Sequence, residues 1–137
     1  MPDIHSSSPA ETERAGVLLG ERLRPRDVVL LIGELGAGKT TFVRGVARGT
    51  GSTSDVASPT FQLVRIYPGR VQLAHVDLYR VGNSTELRDL GLDELADQGA
   101  VVVEWGDRLE VGGAAVIEIE HLGGDRRLIR TKNDLDH

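Results

Sequence analysis

The residues with the clearest chemical potential are Gly33-Glu34-Leu35-Gly36-Ala37-Gly38-Lys39-Thr40, which match the pattern G-x-x-x-x-G-K-[ST] at every position. Glycines at this spacing let the backbone curl until successive N–H groups point at one anion. A helix opening directly afterwards adds its positive end to the same point. Lys39 supplies a compact cation for β- and γ-phosphate oxygens, and the Thr40 hydroxyl suits one coordination position of Mg²⁺. Thr41 stands one residue further on, where an α-phosphate would lie. The chemistry is the binding of a nucleoside triphosphate, ATP or a close relative, together with its metal. An ordinary glycine-rich strand-to-helix turn is the competing reading, and the context decides between them. Val28-Val29-Leu30-Leu31-Ile32 reads as a strand buried on both faces, and the residues from about Lys39 to Arg48 read as a helix.

Two acids end apolar runs, and in open α/β sheets ligands bind beyond the carboxyl ends of the parallel strands. Asp77 closes Val71-Gln72-Leu73-Ala74-His75-Val76 and is a candidate for holding Mg²⁺ through a water. Glu104 closes Val101-Val102-Val103, where a carboxylate can orient or deprotonate the water that attacks a γ-phosphate. A solvated acid at a strand end accounts for either position equally well. His75 falls on the same side of its strand as Asp77. It reads as a satisfied buried histidine rather than a metal ligand, because no other histidine cluster accompanies it.

The elements that must position these groups follow from capping signals and periodicity. Ser8-Pro9-Ala10-Glu11 reads as a capping box that opens a helix, with Ala15, Leu18, Leu19 and Leu23 on one face and Pro25 as its stop. Residues 61–67 and 71–79 are β-like runs joined by Pro68-Gly69. Residues 114–122 and 127–131 form a second expected hairpin across Gly123-Gly124-Asp125. Residues 83–98 suggest one broken helix or two short ones, and residues 100–103 another buried strand. The expected fold is a single α/β domain over residues 1–137, in three α/β/α layers, with a mixed sheet, a parallel core and β-hairpins. Residues 1–7 and 132–137 are expected as flexible tails.

Composition bounds the rest. A chain of 137 residues holds one core. Its longest apolar run is too short to span a bilayer, and the N-terminus lacks the basic start and apolar stretch of a secretory signal, so a cytoplasmic protein is expected. The absence of cysteine excludes thiolate zinc sites and cysteine nucleophiles. A formal charge of −5 argues against holding a nucleic-acid backbone by bulk electrostatics.

Taken together, Gly33 to Thr41, Ser58-Pro59-Thr60-Phe61, His75-Val76-Asp77-Leu78-Tyr79-Arg80 and Val103-Glu104-Trp105 follow one another as in the TsaE (YjeE) ATPases. The resemblance runs over about residues 8 to 122. It implies a P-loop NTPase that binds ATP and Mg²⁺ and works with a TsaD-TsaB complex, which transfers threonylcarbamoyl to the tRNA adenosine beside the anticodon. On that resemblance Lys39 and Glu104 serve hydrolysis, and Thr40, Asp77 and Glu104 serve the metal. Thr60 lies in a switch-like segment near the γ-phosphate, and Trp105 either stacks on the nucleotide or packs beside it. The partners implied are TsaD-like and TsaB-like proteins, with tRNA reached only through their complex and the isolated chain a monomer. Arg80 and Arg108 are candidates for contacts with a partner or a phosphate.

Three other readings start from the same residues. A small P-loop kinase needs an acceptor pocket and an arginine-bearing lid, and neither is evident. A GTPase is suggested by Thr131-Lys132-Asn133-Asp134, which resembles [NT]-K-x-D, but Asp77-Leu78-Tyr79-Arg80 lacks the glycine of a D-x-x-G switch. A nucleotide-gated binding module with little intrinsic hydrolysis uses the same loop as an ATPase.

Overall fold

The computed structural model describes residues 2–34, 36–53, 64–77, 91–104 and 113–137. In chain order the elements are β1 (Ile4–Ser6), α1 (Pro9–Arg22), β2 (Val28–Ile32), α2 (Lys39–Gly49), β3 (Val64–Tyr67), β4 (Leu73–Asp77), α3 (Leu92–Gln98), β5 (Ala100–Glu104), β6 (Ala115–Gly123) and β7 (Arg126–Asn133). The strands form one seven-stranded sheet in the order β1-β7-β6-β2-β5-β4-β3. Strands β6, β2, β5 and β4 are mutually parallel, and each side is finished by antiparallel strands. Helices α1 and α2 cover one face, packing on Val29, Leu31, Leu73, Val102, Ile117 and Ile119. On the opposite face Leu92, Leu95 and Ala96 of α3 pack against Val76, Val101 and Val103. This is the expected three-layer mixed sheet with a parallel core and two hairpins.

The capping signals act nearly as the sequence implies. Ser8 Oγ accepts from Glu11 N at 3.1 Å, and Pro9 opens the helix. The Glu11 carboxylate reaches one residue further back than the usual box and accepts from Ser7 N at 2.7 Å. Both chain ends differ from the expected flexible tails. Ile4–Ser6 pairs with β7 from Ile129 to Arg127 and extends the sheet, while residues 132 and 133 continue β7. Beyond the strand, Asp134 bridges to Arg22 at 3.1 Å and His137 to Asp27 at 2.7 Å. Three residues of β1 are too few to show a periodicity, so pairing with β7 supplies what local pattern lacks.

A glycine interlock joins α1 to α2. Gly16 and Gly20 of α1 face Gly45 and Gly49 of α2, all at four-residue spacing on one helix face. A Cβ at Gly16 would overlap Phe42 O, one at Gly20 would overlap Val46 O, one at Gly45 would overlap Glu13 O, and one at Gly49 would overlap Val17 O. The two backbones are therefore in direct contact. Arg70, in the turn between β3 and β4, then closes the end of α1 by donating to the carbonyl oxygens of Gly20, Leu23 and Glu21 at 3.1, 3.2 and 3.4 Å. Gly20 O also accepts from Leu23 N at 3.2 Å, so Arg70 adds a cation and further donors at the helix end, where carbonyls outnumber helical donors.

The interlock predicts a large difference between two kinds of glycine. Gly45→Ala is expected to lower the unfolding free energy by about 3 kcal/mol, since both helices must separate to admit one methyl group. Gly124 has open space around it and only a left-handed backbone, with φ 53°, so Gly124→Ala is expected to cost about 1 kcal/mol. Urea denaturation of both variants checks this, and equal losses would exclude backbone contact as the cause.

Candidate functional site

The glycine-rich loop leaves the carboxyl end of β2 and enters α2 as expected. Gly33 must be glycine because a Cβ there would stand 2.8 Å from Ile119 O of β6. Gly36 and Gly38 have φ of 81° and 99°, the left-handed region that glycine enters without strain. Gly38 is the N-cap residue of α2 and brings no side chain to cap the first-turn amides, so that end of the helix presents backbone donors to whatever binds there. Lys39 is buried, with Nζ donating to Gly33 O at 2.6 Å, so its cation lies folded across the loop. Thr40 and Thr41 occupy the first turn of α2 and are partly exposed. An uncapped helix start, left-handed glycines and an inward cation together form a donor set that fits a polyphosphate. Leu35 lies outside the described residues.

Arg127 of β7 holds this loop from behind. Its Nε donates to Ala37 O at 2.8 Å, one terminal nitrogen to Gly36 O at 3.4 Å, and the other to Gly124 O at 2.7 Å. In a trans peptide the carbonyl and the following N–H point in opposite directions, so fixing Ala37 O towards Arg127 turns the Gly38 N–H to the other side. Sequence reasoning did not single out Arg127. The contact spans ninety residues, and no local spacing signals it.

The two acids are brought together. Asp77 pairs with Glu104 across β4 and β5, and Glu104 pairs with Leu31 across β5 and β2, two residues before the loop begins. Neighbours in register in parallel strands share a face and stand about 4.8 Å apart. Asp77, Glu104 and Leu31 therefore form one row on the sheet face that carries α1 and α2. Asp77 is partly exposed. Glu104 is only 3% exposed and its Oε2 lies 2.9 Å from His75 Nε2, so it is not a solvated strand-end acid. His75 is fully buried as expected, but it is satisfied only at Nε2, since its Nδ1 has no hydrogen-bond partner among the described residues. Among the described residues no group of three or more His, Cys, Asp or Glu is arranged to hold a metal ion by itself, so a cation here would need oxygen ligands from a bound phosphate or water. Thr60, Trp105, Arg80 and Arg108 lie outside the described residues.

Beside the loop, Ile32, Gly33 and Glu34 line an open cleft of about 470 Å³ with β6 and Arg130. On the other flank Thr41 shares a small depression of about 30 Å³ with Pro9, Thr12, Asp125 and Arg127. The guanine-reading tetrapeptide suggested by residues 131–134 is committed elsewhere. Lys132 bridges to Glu118 at 3.2 Å, Asn133 donates to Ala114 O at 2.7 Å, and Asp134 binds Arg22.

Comparison with known proteins assigns this geometry to a family. The family model for threonylcarbamoyl adenosine biosynthesis protein TsaE matches residues 6–129. The chain belongs to the TsaE family. It is 42% identical over 105 residues to the tRNA threonylcarbamoyladenosine biosynthesis protein TsaE of Treponema pallidum, covering 76% of this chain and 78% of that one. The TsaE protein of Bacillus subtilis is 45% identical over 105 residues, with 75% of this chain and 65% of the relative covered. That of Nostoc is 37% identical over 131 residues, covering 91% and 80%. The crystal structure of Bacillus subtilis YdiB superposes with a TM-score of 0.78 at 34% identity, covering 94% of this chain and 82% of that one. The fold is that of a P-loop NTPase domain, in a family of tRNA threonylcarbamoyladenosine biosynthesis. Among the described residues no helix is long and apolar enough to cross a membrane.

The role of Arg127 predicts a local effect. Arg127→Ala is expected to raise hydrogen exchange at the Gly36 to Gly38 amides about tenfold, the equivalent of a lost charged hydrogen bond worth about 1.4 kcal/mol. Exchange in β2 stays at its parental rate. A uniform rise across the sheet would show that Arg127 serves global stability instead.

Proposed function

We propose that this TsaE-family protein binds ATP with Mg²⁺ on the loop from Gly33 to Thr41, and hydrolyses it as its contribution to tRNA threonylcarbamoyladenosine formation. The observation that carries the reading is the uncapped start of α2 behind left-handed glycines, with the Lys39 ammonium folded across the loop. On binding, Lys39 exchanges Gly33 O for the β- and γ-phosphate oxygens, so the same cation is satisfied in both states. Thr40 and Asp77 would hold the Mg²⁺, Asp77 through a water. Mg²⁺, when bound, neutralises charge building on the phosphate oxygens. Glu104 orients the attacking water from the adjacent strand end.

The isolated protein turns over slowly in this reading. Glu34 and Gly36 are exposed and Asp77 is partly so, which leaves water at the loop, and electrostatic stabilisation is weak where water competes. A TsaD-like and TsaB-like complex would exclude that water and bring the tRNA, which the acidic chain does not hold by itself. A nucleotide-gated binding module is the second reading, favoured by the same openness of the loop. Because coupling is reciprocal, ATP strengthens the hold on a partner by the factor by which the partner strengthens ATP binding.

Two substitutions separate binding from chemistry. Lys39→Ala is expected to weaken ATP binding roughly 100-fold by calorimetry, since a buried charged contact to the phosphates is lost. Glu104→Gln keeps the side chain's shape beside His75, and is expected to hold ATP affinity within a few-fold while lowering turnover roughly 100-fold in a phosphate-release assay. Equal loss of affinity in both variants would place Glu104 in the binding site rather than the hydrolytic step. Parental turnover in Glu104→Gln, with ATP still raising affinity for the partner complex, would favour the gated binding module.

A further inference from the structure

We propose that His75 is a positioning residue for Glu104, its imidazole fixing which carboxylate oxygen faces the nucleotide. The inference rests on the ATPase reading above and assigns a task to a buried group which that reading leaves idle. His75 Nε2 lies 2.9 Å from Glu104 Oε2, with the two side chains 0% and 4% exposed. The water-orienting role needs an ionised carboxylate, which only accepts, so the proposal places the proton on Nε2 as donor. His75 pairs in register with Val102, two residues before Glu104 on β5, so the bond runs diagonally between strands and draws Oε2 back into the sheet. The other oxygen is left for the water at the strand end.

The surroundings argue against a purely packing role. His75 shares its sheet face with Leu73 and its register partner Val102, both fully buried, where an apolar side chain fills the space without a polar cost. Its Nδ1 is buried with no hydrogen-bond partner among the described residues, so the Glu104 bond is the ring's one polar tie there. The Tyr67 ring, with its centroid 6.3 Å away and tilted by 32°, limits the ring's rotation from the β3 side. A carboxylate at the end of a strand otherwise has free rotamers, and a water-orienting group loses effect when its oxygens wander by an ångström.

The test is a double-mutant cycle on the full chain with the TsaD-like and TsaB-like partners, reading ATP affinity and turnover separately. Gln places a side-chain N–H close to the position of Nε2, whereas Asn ends near Nδ1 and cannot reach Glu104. His75→Asn is therefore expected to lower kcat roughly 10–100-fold, the usual size for an orienting partner, with ATP affinity within a few-fold. His75→Gln stays within a few-fold of the parent. In a Glu104→Gln background His75→Asn produces no additional loss, because the group it acts through is already gone. Parental turnover in His75→Asn, equal damage from Asn and Gln, or losses that multiply with those of Glu104→Gln would each overturn the proposal. Parental turnover in Glu104→Gln alone would remove the hydrolytic role of Glu104 itself, and is distinguishable because it does not involve His75. Long-range proton–nitrogen spectra of the parental protein need no variant to fold. A proton on Nε2 is expected, and a proton on Nδ1 alone overturns the proposal.

Discussion

The constraint on which much of the described structure depends is the contact between two helix backbones. Gly16 and Gly20 against Gly45 and Gly49 bring α1 and α2 nearer than any side chain allows, and both helices lie on the face that bears the row from Asp77 to Leu31. Because α2 begins at Lys39, its position determines where the loop's amides converge. The loop is held at its other side by Arg127, and at its start by the approach of Gly33 to Ile119 O. Helix, sheet and hairpin thus each fix one side of the same short turn. Three separate elements thus position the loop to which the proposed function assigns the phosphates.

That arrangement explains why antiparallel additions matter to a parallel core. Strands β6 and β7 extend the sheet on the side of β2 away from the acids, and they carry Ile119, Gly124 and Arg127 to the back of the loop. On the other side, the turn between β3 and β4 returns Arg70 to the end of α1. Both hairpins therefore brace the helix pair or the loop. The charged ladder of Arg130 and Lys132 with Glu118 and Glu120 decorates the face of β6 and β7 opposite α1 and α2. Such exposed pairs contribute little to stability.

The acids illustrate how burial changes the meaning of a residue. Asp77 and Glu104 sit side by side in register, yet one is partly exposed and the other is sealed against a histidine. A partly exposed carboxylate is open to water on one side. A buried one needs a donor, and gains orientation from having it. The proposed division of labour between metal and water rests on this difference in depth.

By itself the sequence determined the loop, the strand before it and the helix after it. These depend on short-range chemistry, in which glycine spacing, a capping serine and apolar periodicity act within a few residues. The P-loop and the strand-end acids are legible for the same reason, as are both hairpin turns. Tertiary structure alone decided that β1 exists, since three residues become a strand only when β7 offers an edge. It also decided that four glycines at helical spacing are a contact and not helix-weakening accidents, that Arg127 holds the loop across ninety residues, and that Glu104 is buried against His75. Each of these turns on which surfaces meet. Residue type and spacing state what a side chain can do, and only packing states what it touches.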